Sequence, residues 1–190
     1  GDVYKRQAKH GALPAWEAAL KYEVDRAATL PHAVVYVEAG YSDAQGPAYT
    51  ARALNHVDIR KIRGFFTNDT HENWTINEIK WGEKVSRLTH GAHFVINTSQ
   101  NGNGPKRNRH PRTQGVEDLC NPPGRALGPQ PDTSPGFADV DAFLWITVPG
   151  VSGGSCNGGP PSGTFWPARG EALAAHANAK LGPGYPSRPY

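Results

Sequence analysis

Short apolar runs alternate with helical segments along most of this chain. Four runs have the length and the β-branched or aromatic content of buried strands, and they cover residues 32–38, 62–67, 93–97 and 142–148. Apolar periodicity and end signals predict helices over residues 13–30, 47–57, 75–89 and 167–181, the third with Thr75 and Glu78 in capping-box spacing. The alternation predicts an α/β fold in which about four parallel strands form a sheet flanked by helices.

Four strands are too few to close a (β/α) barrel, which needs about eight. Residues 2–7, DVYKRQ, look like a translated sequencing-adapter end, so we interpret residues 1–7 as a scar and expect the reading frame to be cut upstream. The expected organisation is a partial, truncated TIM-like barrel domain over residues 8–182 and a Pro/Gly tail over 183–190. Such a domain would lack the N-terminal half of its own barrel.

The composition is that of a folded domain. The 190 residues are 37% hydrophobic and 19% charged, and no apolar run is long enough to span a membrane. The net charge is only +3, and the one basic cluster, Lys106–Arg112, is interpreted as a solvated loop and not as a nucleic-acid site. No HxH or HExxH spacing occurs, so we predict no metal and no cofactor.

Each predicted strand ends in polar residues. In residues 91–105, GAHFVINTSQNGNGP, an apolar strand runs directly into a loop rich in amides and glycine. The other strands end at Glu38, at Asn68 and Asp69, and at Thr147. Loop solvation alone makes strand ends polar, but the carboxyl ends of parallel strands meet at the edge where α/β proteins place their chemistry. We therefore expect a cleft there for a polar ligand, and a sugar is a good candidate.

Two further segments, LCNPPGRALGPQP at 119–131 and DAFLWITVPG at 141–150, join residues 91–105 in resembling one family, glycoside hydrolase family 6. The family comprises the inverting β-1,4-glucanases, and the resemblance spans residues 13 to 181. It implies a secreted β-1,4-glucan hydrolase with a distorted TIM-like barrel, of which this chain is the C-terminal part. It also implies a β-1,4-glucan oligosaccharide or polysaccharide as the binding partner.

The same resemblance shows altered positions in the cleft. The family's Asp and His become Glu38 and Tyr41, and its Asp and Arg become Asn97 and Gln100. Two family tryptophans are replaced by Ala44 and Leu119, and the family's Lys, Glu and Asp become Thr147, Val151 and Gly153. The last of these is the family's proposed catalytic base, and the motif of the catalytic acid, Glu-Pro-Asp, does not occur in this chain. Two hypotheses follow: a divergent hydrolase with a relocated base, or a non-hydrolytic glucan-binding pseudoenzyme. A third is an unrelated sugar-processing or phosphate-binding α/β barrel fragment, and the Lys106–Arg112 cluster is the only feature that favours phosphate.

Inversion needs two carboxyl groups, an acid and a base. Asp69 is our candidate for a relocated carboxylate, with a turn or helix-cap aspartate as its alternative, and Glu38 is the second candidate. Asp141, inside the fourth predicted strand, is more typical of a structural anchor. For the 190-residue chain alone we expect no hydrolysis, because no proton donor is correctly placed. The predicted substrate-binding residues are Asn68, His71, Trp74, Asn97, Gln100, Asn101, Asp43 and Tyr41.

The chain has two cysteines, Cys120 and Cys156, in loops on either side of the last predicted strand. Two free thiols are one possibility. The loop positions and polar surroundings favour a disulfide and an exported protein. The family resemblance independently implies that these two positions pair.

Overall fold

The computed structural model describes residues 13–43, 46–105 and 120–178. The elements, in chain order, are α1 Leu13–Ala27, β1 Tyr36–Glu38, α2 Pro47–His56, a 3₁₀ turn Ile59–Lys61, β2 Gly64–Thr67, α3 Thr75–Leu88, β3 His93–Asn97, β4 Val140–Leu144 and α4 Pro167–Asn178. Residues 1–7, the tail at 183–190, Ala44, Lys106–Arg112 and Leu119 lie outside the described residues, so the predictions for them stay predictions.

The four strands form one parallel sheet in the order β1-β2-β3-β4. Val37 lies opposite Phe65, Phe65 lies opposite Phe94, and the pairing of β3 with β4 shifts register between Phe94 and Val95. The prediction of about four parallel strands with flanking helices is confirmed. Within the described ranges the sheet is open. Because all its strands are parallel, their carboxyl ends lie along one edge.

The core lies between this sheet and the helices. Phe65 and Phe94 are fully buried and stack with their ring centroids 5.2 Å apart, and Trp81 of α3 meets Phe65 edge-on at 6.3 Å. Gly82 lets α3 approach the sheet closely, because a Cβ atom there would lie 2.3 Å from the Phe94 ring. This packing fixes α3, and with it the loop that joins β2 to α3.

The first, second and last strands differ from their predicted bounds, the second because β2 begins at Gly64 and not at residue 62. β1 begins at Tyr36 rather than at residue 32, and Val34 is 68% exposed because it precedes the paired residues. β4 covers Val140–Leu144 instead of 142–148, so Thr147 lies in the loop beyond the strand. The predicted helix over 167–181 is observed to Asn178, and residues 179–181 lie outside the described ranges.

The capping box predicted at Thr75 and Glu78 is wrong. Trp74 occupies the N-cap position of α3, and its side chain makes no capping hydrogen bond. The Thr75 hydroxyl instead accepts a hydrogen bond from Asn101 Nδ2 at 2.9 Å. Tertiary hydrogen bonds have taken both side chains away from the local cap.

A charged network closes the amino end of the sheet. Arg63 donates to both carboxylate oxygens of Asp141, from Nε and Nη2, each at 2.6 Å. The Tyr36 hydroxyl donates to the same carboxylate at 2.7 Å, and His93 Nδ1 lies 2.9 Å from it. Burial would raise the pKa of Asp141, but hydrogen bonds from Arg63 and Tyr36 lower the pKa to about 2. Asp141 therefore acts as the structural anchor that its position in β4 predicts.

Candidate functional site

A cleft of about 670 Å³ opens at the carboxyl ends of the strands. It contains the predicted residues Glu38, Tyr41, Asp69 and Gln100, which come from three different strand ends. Its full lining is Glu38, Tyr41, Asp69, Thr70, Glu72, Gln100, Cys120, Asn121, Pro122, Thr147, Val151, Ser152 and Gly153. The polar strand ends thus meet in one concave site, as the alternation of strands and helices predicts.

Three asparagines predicted to bind substrate, Asn68, Asn97 and Asn101, lie beneath the cleft instead of lining it. Asn68 is fully buried, donates to the carbonyls of Asn73 and Asn97, and accepts from the Asn73 amide at 3.0 Å. Asn101 donates to the Asn73 carbonyl at 2.8 Å and to Thr75. These amides join the loops that follow β2 and β3, so their hydrogen bonds set the shape of the cleft floor.

Asn97 and Thr147 join three strand ends through neutral hydrogen bonds. Asn97 Nδ2 donates to Thr147 Oγ1 at 2.9 Å, and Asn97 Oδ1 accepts from the Ile146 amide at 3.1 Å. Thr147 Oγ1 lies 3.1 Å from the carbonyl of Asp69 and 3.4 Å from its carboxylate. Asn97 is only 3% exposed. Its amide therefore positions Thr147 and, through Thr147, the Asp69 side chain at the cleft wall.

Glu78 is a fully buried carboxyl group that holds the same loops from below. It accepts hydrogen bonds from the Ser42 amide at 2.9 Å, from Asn73 Nδ2 at 3.1 Å and from the Thr67 hydroxyl. Burial raises the pKa of this carboxyl, and these donors oppose the rise. Glu78 lies outside the cleft lining, so it organises the site without touching a ligand there.

His71 and Asp43 support the cleft from behind Tyr41. The His71 ring stacks on Tyr41 with centroids 3.4 Å apart, and its Nδ1 lies 3.3 Å from the Asp43 carboxylate. Burial would raise the pKa of Asp43, but hydrogen bonds from His71 and Asn73 hold the pKa below its usual value. Asp43 lines a separate hollow of about 540 Å³ with Lys80 and Lys84. Both predicted binding residues therefore sit behind the cleft rather than on it.

Trp74 is also outside the cleft lining. Its ring covers the backbone at Gly104, where a Cβ atom would lie 2.1 Å from the indole, and 36% of the residue stays exposed. Gly104 has φ +66°, a conformation that favours glycine. In the structure, Trp74 therefore packs against the backbone at Gly104.

The opposite wall of the cleft is closed by the disulfide Cys120–Cys156, whose Cα atoms are 6.0 Å apart. Both predicted thiols are therefore paired, as expected. Asn121, next to Cys120, accepts from the Gly153 amide at 2.9 Å and donates to Ser152 Oγ at 3.1 Å. This wall offers hydroxyl, amide and backbone groups to the cleft, and none of its residues from 147 to 153 is ionisable.

Glu72 lines the cleft and was missed by the sequence analysis. It is partly buried, and its carboxyl group makes no hydrogen bond or ion pair within the described ranges. Burial raises the pKa of Glu72 to about 7, although Arg125, His71 and Arg169 oppose that rise. Its place in the loop of residues 68–74 resembles that of any solvated turn residue, so only its burial in the folded chain distinguishes it.

Two buried arginines frame this part of the cleft. Arg169 donates to the Pro122 carbonyl at 2.6 Å and to Gln100 Oε1 at 2.9 Å, and Arg125 donates to the Gly104 carbonyl. Arg125 and Arg169 are 9% and 8% exposed. Their guanidinium groups are held by backbone and amide oxygens, which leaves Glu72 under their positive field without a direct contact.

No group of three or more His, Cys, Asp or Glu side chains in residues 13–43, 46–105 and 120–178 is arranged to hold a metal ion. In those same ranges no helix has the length and apolar character needed to cross a membrane.

Residues 5–177 match the family "Glycosyl hydrolases family 6". Endoglucanase A of Cellulomonas fimi is 36% identical over 147 residues, which are 77% of this chain and 30% of that protein. Endoglucanase 1 of Streptomyces sp. (strain KSM-9) is 38% identical over 146 residues, which are 76% of this chain and 37% of that protein. The chain therefore spans less than half the length of these curated relatives.

Solved structures show the same fold. The endoglucanase Cel6 from Mycobacterium tuberculosis, in complex with methyl-cellobiosyl-4-deoxy-4-thio-β-D-cellobioside, aligns with a TM-score of 0.77 and 41% identity, over 84% of this chain and 53% of that one. An enzyme from Orpinomyces sp. Y102 aligns with a TM-score of 0.75 at 23% identity, over 89% of this chain and 57% of that one. The second likeness concerns the fold alone.

Proposed function

The chain belongs to glycoside hydrolase family 6, and from that premise we propose that its cleft binds β-1,4-linked glucan for hydrolysis with inversion. The observation that carries the proposal is the cleft at the strand carboxyl ends, which presents Glu38, Asp69 and Glu72 beside Gln100 and Tyr41. Carboxyl groups flanking a polar cleft suit the acid and base work of glycoside hydrolysis. Amide and phenol groups suit the recognition of sugar hydroxyls.

The binding role falls on the residues that line the cleft. Arg169 donates a hydrogen bond to Gln100 Oε1 and so holds the side chain in place at the cleft. The Nε2 group of Gln100 remains able to donate to a sugar hydroxyl. Tyr41 is held flat by its stacking on His71, so its ring forms a rigid part of the wall. Asn68, Asn97 and Asn101 act as supports in this proposal, because their hydrogen bonds join loops of the protein.

Additional strands are proposed to complete the cleft. β1 and β4 each have a strand partner on one side only in the described part of the chain, and a closed barrel needs about eight strands.

The protein is also proposed to be exported. The disulfide Cys120–Cys156 supports this, since such bonds persist in oxidising compartments.

A second candidate function is non-hydrolytic glucan binding. It is favoured by the neutral wall formed by Thr147, Val151 and Gly153, where the family resemblance implies charged residues. Thr147 meets Asn97 and Asp69 through ordinary hydrogen bonds and carries no charge to the site. Both functions share the same glucan-binding cleft, so binding is the first property to test.

The test is calorimetric titration of the 190-residue chain with cellotetraose, and with maltotetraose as the α-linked control. We expect binding of cellotetraose only. Gln100→Ala should weaken it about tenfold, through the loss of about one hydrogen bond to the sugar and of the contact with Arg169. Gln130→Ala is the matched control, because Gln130 is exposed and outside the cleft lining. Equal affinity for both sugars, or none for either, would remove the glucan proposal.

A further inference from the structure

We propose that Glu72 is the general base of this cleft, the carboxylate that takes a proton from the attacking water. The inference rests on the proposed function and deepens it, because it assigns one chemical step to one residue. Glu72 lies in the loop between β2 and α3, on the same cleft as Glu38 and Asp69.

The three carboxyl groups of the cleft differ in what holds them. Glu38 accepts a hydrogen bond from the Gly40 amide at 2.6 Å. The Asp69 carboxylate lies 3.4 Å from Thr147 Oγ1, which also contacts the Asp69 carbonyl. Glu72 has no hydrogen bond or ion pair to the part of the chain that the structure describes. A base needs a lone pair free to receive a proton, and Glu72 offers one.

The charges around Glu72 come from several parts of the fold. Arg125 follows the loop at Asn121, Arg169 belongs to α4, and His71 is the neighbouring residue in the loop. The negative groups are Asp43 from the loop after β1, and Glu38 and Asp69 on the cleft. Burial exceeds the opposing effect of the cations, so the pKa of Glu72 rises to about 7. A carboxyl group of this kind is a strong enough base to act near neutral pH.

The cations also explain why the carboxylate can form at all. Arg125 donates to the Gly104 carbonyl, and Arg169 donates to the Pro122 carbonyl and to Gln100. Within the described ranges neither arginine makes a hydrogen bond or ion pair with Glu72. Their field stabilises the anion at a distance, and the oxygens remain available to water. A direct ion pair would have lowered the pKa and occupied the lone pairs.

In the assigned step, the water oxygen forms a bond to the anomeric carbon while the bond from that carbon to the leaving oxygen breaks. The water proton passes to the Glu72 carboxylate, and a second carboxylic acid protonates the leaving oxygen. A glycosyl fluoride needs no second acid, because fluoride leaves as an anion with the bonding electrons. The products are then cellobiose, fluoride and a proton that Glu72 releases to solvent.

The experiment uses β-cellobiosyl fluoride and the 190-residue chain, with fluoride release measured by electrode between about pH 5 and about pH 9. We expect the rate to rise with pH through about 7, where Glu72 loses its proton, and the first product to be α-cellobiose. Glu72→Gln should lower kcat at least about 100-fold with unchanged cellotetraose affinity. Glu171→Gln, an exposed glutamate of α4, is the matched control and should keep full activity.

A second variant separates chemistry from structural support. In Glu72→Ala, added azide should restore fluoride release and form α-cellobiosyl azide, because this anion attacks without a base. A residue that only supports the fold would give no such rescue. Fluoride release that survives Glu72→Gln overturns the inference, most directly if Asp69→Asn abolishes it.

Two further outcomes are decisive. No fluoride release from an unsubstituted chain that binds cellotetraose overturns the assignment of Glu72 and leaves glucan binding standing. No cellotetraose binding by the unsubstituted chain overturns the proposed function itself, and the assignment with it.

Discussion

The two ends of the parallel sheet hold carboxyl groups in opposite settings. At the amino end, Asp141 is held by Arg63, Tyr36 and His93, and the pKa of Asp141 falls to about 2. At the carboxyl end, burial raises the pKa of Glu72 to about 7, and no hydrogen bond or ion pair to the described residues reaches its carboxyl group. Burial acts to raise the pKa of both carboxyl groups, but only Asp141 has hydrogen-bond partners that reverse the rise.

This contrast separates stability from chemistry within one small sheet. The Asp141 network links residues of β1, β3 and β4 and the residue just before β2, and it stabilises the anion at every physiological pH. Glu72 costs stability whenever it is charged, and such a cost is typical of functional sites. The amino end therefore fixes the strands, while the carboxyl end keeps one carboxyl group ready to exchange a proton.

The largest expected effect is the pH dependence that Glu72 gives to stability. Its folded pKa of about 7 lies above its ordinary value of 4.5, so between these values the folded chain binds more protons than the unfolded one. The free energy of unfolding should thus fall as pH rises, by up to about 3 kcal/mol from this group. Urea unfolding at a series of pH values measures it.

Glu72→Gln should remove this fall in the free energy of unfolding with rising pH, and Glu171→Gln should retain it. The difference in unfolding free energy between the unsubstituted chain and Glu72→Gln, taken at each pH, reports on this one substitution. A difference that stays constant from pH 4.5 to about 7 would mean that Glu72 is as well solvated when folded as when unfolded.

The next effect probes the amino end. Asp141→Asn should lower the free energy of unfolding at pH 7 by about 2 kcal/mol, because Arg63 and His93 lose an anionic partner while the shape is kept. Since the pKa of Asp141 is lowered, its stabilisation is complete above 3.8 and is lost as pH falls through about 2. The difference in unfolding free energy between the unsubstituted chain and Asp141→Asn should therefore become smaller in acid. For Glu72→Gln the difference should instead become larger as pH rises.

Asp139→Asn is the control for this variant, because Asp139 lies two residues away and makes no side-chain hydrogen bond within the described ranges. Its stability should match that of the unsubstituted chain within about 0.5 kcal/mol. An equal loss in both variants would mean that the charge near β4 matters and the network does not.

The fold could largely be predicted from the sequence, since apolar runs and helical periodicity are local signals. β3 was predicted with its observed bounds, His93–Asn97, and α3 within one residue. β4 was misplaced because its apolar run continues past the paired residues, to Ile146 and Val148, which are 38% and 58% exposed. Strand ends depend on the neighbouring strand, and that information is not local.

The site could be predicted only in part. The polar strand ends indicated the edge of the sheet where the cleft lies. The sequence could not distinguish a residue that lines the cleft, such as Gln100, from one that supports it, such as Asn97. Both are amides in one loop, and only the long-range partners of Asn97 distinguish them. Glu72 was missed for the same reason, since the arginines that act on its carboxyl group, Arg125 and Arg169, are far away in sequence.

The smallest expected effect tests whether the cleft end is held by weaker bonds. Thr147→Val keeps the shape but removes the hydroxyl that contacts Asn97 and Asp69, so it should cost about 1 kcal/mol of unfolding free energy. Thr133→Val, at an exposed position outside the cleft, is the matched control. Urea unfolding of both at pH 7 gives the comparison. A loss from Thr147→Val as large as that from Asp141→Asn would mean that the carboxyl end is held as firmly as the amino end. A smaller loss fits a cleft whose neutral hydrogen bonds position Asp69 and leave the surrounding loops easier to move than the charged network at the opposite end.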